Sequence, residues 1–376
     1  MRHSGAAEYW DRLVAQPQAD SRSWLESLQA SQRANRLTTG RPNVYPLLAF
    51  AEEFHGTLPV ARALSVGCGS GSLEREVIRA NIATHIDGID ISSVSLDRAR
   101  ALANAEPALA ARISYRLEDA ASWLPAQEPG SYQLIMFHGS LHHIAALEQV
   151  TTACAAVLRE GPPGLLFLDE YVGPSRDQWC DADLSDARDF FSRLDPRHLR
   201  TPVLMQPMDP RDPSEMVRSA DIEPVLRAHF EVLRYRPYYG NVIYPLLSAI
   251  KGSSFSDPEV EEVLRSAIAR EDALIDAGNL RPLFAVFVCR PRSAAEARRR
   301  AEIPVRDPLQ PCHELESALR RLVSDLSSDH RALHSEIKRL NALVGTMEST
   351  RAWRVHRWAE HHVRSRWRRW RRYLLP

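Results

Sequence analysis

The chain is short of cysteine, of long apolar runs and of any excess charge. Cys68, Cys154, Cys180, Cys289 and Cys312 are scattered through 376 residues, odd in number and without a CxxC pair. That excludes a cysteine-built zinc site and a disulfide scaffold, and reduced structural thiols are expected. No stretch of about 18 apolar residues occurs, so no membrane-spanning helix is expected. The start, MRHSGAAEYW, carries no apolar signal core, and a cytoplasmic protein is expected. The formal net charge of +0 hides an asymmetry. From Arg351 onward there are nine arginines and one acid, Glu360, so that segment is +8 and the remainder −8. An acidic body argues against a general nucleic-acid binder, because Lys and Arg contacts to phosphate supply most non-specific affinity, and no DNA partner is expected.

What is present begins at LSVGCGSGSLER, residues 64–75, followed by HIDGIDIS at 85–92. Leu64 and Val66 belong to a short buried strand, and Gly67, Gly69 and Gly71 let the backbone turn tightly and approach a ligand. Ser72 then opens a helix whose free N–H groups face the ligand. The next strand carries Asp90 about twenty residues after the glycines, where an acid can accept hydrogen bonds from ribose hydroxyls. The spacing is GxGxG, not the GxGxxG of the dinucleotide fingerprint. The alternative is a glycine-rich turn joining an ordinary strand and helix, and Asp90 weighs against it.

VGCGSG, the acid of GIDIS, LEDAASW at 117–123, YQLIMFHGSLHHI at 132–144 and GLLFLDEYVG at 164–173 together resemble the class I S-adenosylmethionine-dependent methyltransferases. The similarity runs over residues 45–292, with the motifs in the family's order. It implies S-adenosylmethionine as cofactor, with Gly67, Gly69 and Gly71 cradling its methionine part, Asp90 and the adjoining Ile91 at the ribose, and Asp119 with Ala120 at the adenine edge. His138, at the end of the fourth strand, is counted with the cofactor residues. One departure stands out: many members carry an acid where this chain has Ser65, which leaves the contact to the cofactor's amino group weaker or water-mediated.

Strands expected at 63–66, 86–90, 113–117, 133–137 and 165–169 alternate with helices, which predicts an α/β fold with a Rossmann-like, mostly parallel sheet. A strand near 230–236 and another at 282–289 bring the sheet to seven, the last one antiparallel, as the resemblance implies. Residues 1–55 read as a helical preface that, by the same resemblance, packs over the cofactor mouth. The methyltransferase domain spans 56–292. Within it, 171–216 reads as a helical lid or acceptor-binding insertion, followed by a helix from Ser214 and another over 258–277.

Ligands sit at the carboxyl ends of parallel strands, which singles out His138 to His143 after the fourth strand and Asp169 to Tyr171 after the fifth. Methyl transfer from a sulfonium mainly needs alignment and a dry pocket. A hydroxyl acceptor also needs its proton removed, and histidine suits that task. His142 is the first candidate base and His143 the second, with Glu170 as orienter or alternative base. The LHH segment can instead pack its loop against the cofactor. No metal is expected, since no ligand spacing recurs. Tyr171 and Trp179 either line an acceptor pocket or plug the insertion onto the core, and Tyr238 and Tyr239 read as core.

After a linker at 293–314, residues 315–350 carry heptads with Leu319, Leu326, Leu333, Leu340 and Met347 at a, and Leu315, Leu322, Asp329, Glu336 and Leu343 at d. A self-pairing coiled coil, and so a homodimer, is expected, against a single amphipathic helix docked on the body. Residues 351–376 interleave Trp353, Trp358, Trp367 and Trp370 with arginines, as in an interfacial helix on an anionic inner membrane face. RNA or a partner enzyme competes for that surface. The tail also resembles the coiled coil and Trp-Arg segment of some bacterial surface-polysaccharide enzymes. The expectation is O-methylation of a sugar hydroxyl in a glycan or lipid-linked saccharide at the cytoplasmic membrane face. The alternatives are methylation of a small-molecule acceptor and a noncatalytic cofactor-binding scaffold.

Overall fold

Strands form here where apolar and β-branched residues run without interruption, because both faces of a parallel sheet are covered. The computed structural model describes residues 3–16, 20, 22–158 and 164–293. The coiled coil expected at 315–350, the tail at 351–376, Cys312 and nearly all of the 293–314 linker lie outside the described residues.

The strands are β1 (Val60–Val66), β2 (Ala83–Asp90), β3 (Ile113–Leu117), β4 (Leu134–His138), β5 (Leu165–Tyr171), β6 (Phe230–Tyr239) and β7 (Phe284–Pro291), and they pair in the order β3-β2-β1-β4-β5-β7-β6. The first five are mutually parallel, and β7 lies antiparallel between β5 and β6. This is the Rossmann-like seven-stranded sheet expected from the sequence. Successive side chains feed opposite faces. Ala63, Leu134, Met136, Leu165, Phe167, Val286 and Val288 enter one buried cluster, while Leu64, Ile135, Phe137, Leu166, Leu168, Phe287 and Cys289 enter the other.

Three helices precede the sheet, α1 (His3–Ala15), α2 (Leu28–Thr39) and α3 (Pro46–Glu53), and α4 (Ser72–Arg79) and α5 (Ser93–Asn104) follow β1 and β2. Because β2 lies on one side of β1 and β4 on the other, the carboxyl end of β1 is a topological switch point, where a crevice opens. The helix Pro258–Asp276 sends Glu271 inward, where it accepts from the amides of Gly240, Val242 and Ile243 and pairs with Arg33 of α2 at 2.9 Å. That buried network ties α2 to the end of β6.

The structure corrects several boundaries. Tyr171 is the last residue of β5, not the start of an insertion. No helix starts at Ser214. Ser214 N and Oγ both donate to Asp212 Oδ1 in a local turn, and Met216 has φ +51, which no α-helix accommodates. The helix begins instead at Ile222 and runs to His229. The inserted stretch contains the helix Ser185–Phe191, but it is no loose flap: Leu184, Phe190, Leu194 and Leu204 are buried in the first cluster. Tyr171 and Trp179 plug it there, with Trp179 Nε1 donating to Tyr171 Oη at 3.1 Å, and Tyr238 is core as expected, donating to Asp169 Oδ1. Cys68, Cys154, Cys180 and Cys289 are free thiols. Among the described residues no helix is long and apolar enough to cross a membrane.

Candidate functional site

The turn after β1 is built for close approach. Gly67 has φ +69, and a Cβ there would lie 2.5 Å from Ser140 Cβ. Ser140 is held against it by donating its hydroxyl to Val66 O at 2.6 Å. At Gly71, φ +75, a Cβ would strike the Tyr115 hydroxyl. Any side chain at either position forces this turn open.

Over the turn lies a cavity of about 680 Å³. Its walls include Gly67 and Gly69 from the turn, Asp90 and Ile91 from the end of β2, Asp119 and Ala120, His138 from the end of β4, and His143. Gly5, Ala6 and Trp10 of α1 line it too, as do Pro213, Ser214 and Val217. Asp90 is fixed by its neighbours: Gly69 N donates to Oδ2 and Ser92 N to Oδ1, each at 2.8 Å. Burial raises its pKa, and the amides of Ser92 and Gly69 counter that rise. Asp119 accepts from Ala121 N at 3.0 Å, capping the short helix that carries Ala120. Tyr45 and His138 join at 2.7 Å between Oη and Nε2.

Gly71, expected among the cofactor residues, is not on the cavity wall. Its place is structural, at the N-cap of α4 beneath Tyr115.

The catalytic candidates separate in the same way. Glu170 is fully buried, and its Oε1 accepts from the amides of Ser140 and Leu141 at 2.6 Å each while Oε2 meets His142 Nδ1 at 2.8 Å. Neither Glu170 nor His142 is on the cavity wall; they hold the loop after β4 from behind. Burial works against a charge on His142, but Glu170, Glu215 and Asp212 outweigh it and raise its pKa. His143 does reach the cavity, with Trp10 edge-on to its ring at a centroid distance of 5.1 Å. Its pKa lies well below the usual imidazole range, because burial and the neighbouring His142 both disfavour a second positive charge. Of the two histidines expected as candidate bases, His143 is thus the one on the cavity wall, while His142 is held behind it by Glu170.

The last residues of the 171–216 insertion supply groups that the sequence did not mark. Asp212 Oδ2 lies 3.6 Å from His143 Nδ1, Glu215 Oε1 lies 3.6 Å from His142 Nε2, and Ser214 Oγ is 3.3 Å from His143 Nδ1. His142, His143 and Glu215 offer donor atoms within 4.8 Å of one another, so this cluster can hold a cation, which spacing along the chain did not indicate. Seventy residues separate the two halves, so no local pattern joins them. Glu74 was also missed; it faces the cavity from the first turn of α4.

Residues 63–161 match the family model described as "Methyltransferase domain". A ubiquinone biosynthesis O-methyltransferase of Ralstonia nicotianae is 36% identical over 107 residues, which is 28% of this chain and 42% of that protein. A protein of the same name from Bordetella parapertussis is 32% identical over 114 residues, covering 30% of this chain and 45% of its own. The chain thus spans less than half the length of the curated relatives it matches. A solved geranyl diphosphate C-methyltransferase from Streptomyces coelicolor covers 77% of this chain and 98% of its own, at 12% identity and a TM-score of 0.44.

Proposed function

We propose that the chain is an S-adenosylmethionine-dependent methyltransferase that transfers a methyl group to a hydroxyl acceptor. The observation that carries this is a cavity walled by the Gly67–Gly69 turn, Asp90 and Ala120, all within the segment that matches the methyltransferase domain. The wall fits the cofactor's chemistry. Asp90 retains lone pairs for ribose hydroxyls, Asp119 and Ala120 border an adenine edge, and an unpartnered carboxylate at Glu74 suits a positive charge. When bound, the cofactor supplies a methyl group on a sulfonium, an activated donor with a good leaving group.

The protein's own residues align, exclude water and move a proton. The half-neutralised pair of imidazoles divides the labour: His142 stays with Glu170, and His143, neutral at pH 7, accepts the acceptor's hydroxyl proton. Asp212 and Glu215, each with an oxygen within 4.0 Å of the His143 ring, then stabilise the resulting imidazolium. Trp10, Ile144, Pro213 and Val217 form an apolar wall near His143.

That wall and the names of the relatives favour a small, largely apolar hydroxyl compound as acceptor. A sugar hydroxyl of a glycan or lipid-linked saccharide is the second reading, supported by the Trp-Arg sequence of residues 351–376.

The test is transfer of labelled methyl from S-adenosylmethionine into separated host fractions: small metabolites, lipid-linked glycans, RNA and protein. Label in small metabolites is expected. Asp90→Ala should lose both cofactor binding and label, whereas His143→Ala should keep binding and lose roughly 100- to 10,000-fold in transfer. Label confined to the glycan fraction establishes the second reading. Cofactor binding with no label in any fraction leaves a noncatalytic scaffold and ends the enzyme proposal.

A further inference from the structure

Four carboxyl groups line the cavity: Glu74, Asp90, Glu118 and Asp119. Asp90 is satisfied by two amides and Asp119 by the cap it makes, and Glu118 is part-exposed. Glu74 differs from all of them. It has no exposed surface, and among the described residues neither of its oxygens has a hydrogen-bond partner. A buried carboxylate without a partner is among the costlier things a fold can contain, and each orphaned polar atom calls for a missing partner. Glu74 is among the residues that line the cavity, so a bound molecule can supply the missing partner from that side.

Two features of the surroundings define what that partner must be. Ser65, near the end of β1, offers Glu74 a neutral hydroxyl that works against the rise in its pKa but brings no charge to it. Arg75, the next residue, turns away and donates to Ser70 O at 2.9 Å. Burial pushes the Glu74 carboxyl up to about 7, which leaves it half-ionised near neutrality, so a cation beside it favours the carboxylate and the proton passes to solvent. Among the described residues no cation pairs with it. The methionine part of S-adenosylmethionine carries an ammonium, and the glycine turn beside Glu74 is where that part lies on the proposed reading.

We propose that Glu74 receives the ammonium group of the cofactor's amino-acid part, a charge carried on the helix after the glycine turn and not on the strand before it. The inference rests on the cofactor reading above. It assigns Glu74 to binding and not to the transfer step, and it accounts for an acid placed where the chain otherwise gains nothing from it.

The experiment measures binding of two probes by calorimetry: S-adenosylhomocysteine, which carries the ammonium, and 5′-methylthioadenosine, which lacks the amino-acid part. Wild-type protein should bind both. Glu74→Gln keeps the volume and removes the charge. It should weaken S-adenosylhomocysteine roughly 10- to 100-fold, as expected for a desolvated charge-assisted hydrogen bond, and leave 5′-methylthioadenosine unchanged. Adding Ser65→Asp to Glu74→Gln should restore much of the lost affinity. Equal binding of S-adenosylhomocysteine by wild type and Glu74→Gln would overturn the inference and leave Glu74 a protonated structural acid. Equal losses for both probes would overturn it too, since the defect would then be in the turn and not at the ammonium. Wild-type protein that binds neither probe would overturn the cofactor reading itself.

Discussion

Single residues decide where charge can reside in this cavity. Glu74 has a folded pKa of about 7, above the roughly 4.3 of an unfolded chain. Burial sets that rise; Ser65 and Arg75 act against it, Asp90 adds to it, and Cys68 and Tyr115 face the same carboxylate. An acid whose pKa is raised by folding keeps its proton longer in the folded state. Its contribution to stability is therefore complete below the unfolded value and is lost as pH rises through about 7. The ligand-free protein should lose on the order of 3 kcal/mol from this group between pH 4 and pH 8. Glu74→Gln should not show that loss, so at pH 8 the variant should be the more stable protein in denaturant titrations. Taking the difference between the two proteins removes His142 and His143, which titrate nearby. A wild type and variant with parallel stability profiles would show that Glu74 titrates normally. The glycine turn, Asp90 and Ala120 were legible in the sequence because they lie within sixty residues in a fixed order. Glu74 was not legible, because nothing in LSVGCGSGSLER distinguishes a buried glutamate from a solvated one.

At the scale of elements, the strands followed from uninterrupted apolar runs, and β4 and β5 are buried almost throughout. The helix expected at Ser214 failed because the Asp212–Ser214 turn and the positive φ of Met216 take the chain out of helical geometry before Ile222. That same irregular stretch carries Asp212 and Glu215 to the two histidines. α1 shows the converse, a helix read correctly whose purpose the pattern did not state. Its Asp11 accepts from Ser92 Oγ at 2.7 Å and Val94 N at 3.1 Å, capping α5 from outside, while Gly5, Ala6 and Trp10 close the cavity. Removing residues 1–16 should weaken S-adenosylhomocysteine by about tenfold, since a cavity wall and a capping contact go together. Calorimetry on the truncated protein checks this. Unchanged affinity with an unchanged thermal midpoint would make α1 a bystander to the cofactor.

The whole molecule joins an acidic body to the basic segment from Arg351 onward, and the two divide the experiments between them. We expect deletion of residues 312–376 to leave cofactor affinity intact, because every cavity residue lies before Pro213, Ser214 and Val217 or among them. The same deletion should abolish self-association in sedimentation and binding to anionic vesicles, since the heptads and the Trp-Arg run are removed together. Retained vesicle binding would put the membrane-facing charge on the body instead.

The sequence by itself determined the sheet, the glycine turn after β1 and the acid at the end of β2, because each is encoded in consecutive residues whose hydrophobic period and glycine spacing act locally. Only the tertiary structure decided which histidine meets the cavity and which stays behind it with Glu170. It alone brought Asp212 and Glu215 to that pair and left Glu74 buried without a partner. The physical reason is that pKa, burial and hydrogen-bond satisfaction belong to a group's surroundings in space, and here those surroundings come from segments seventy residues apart.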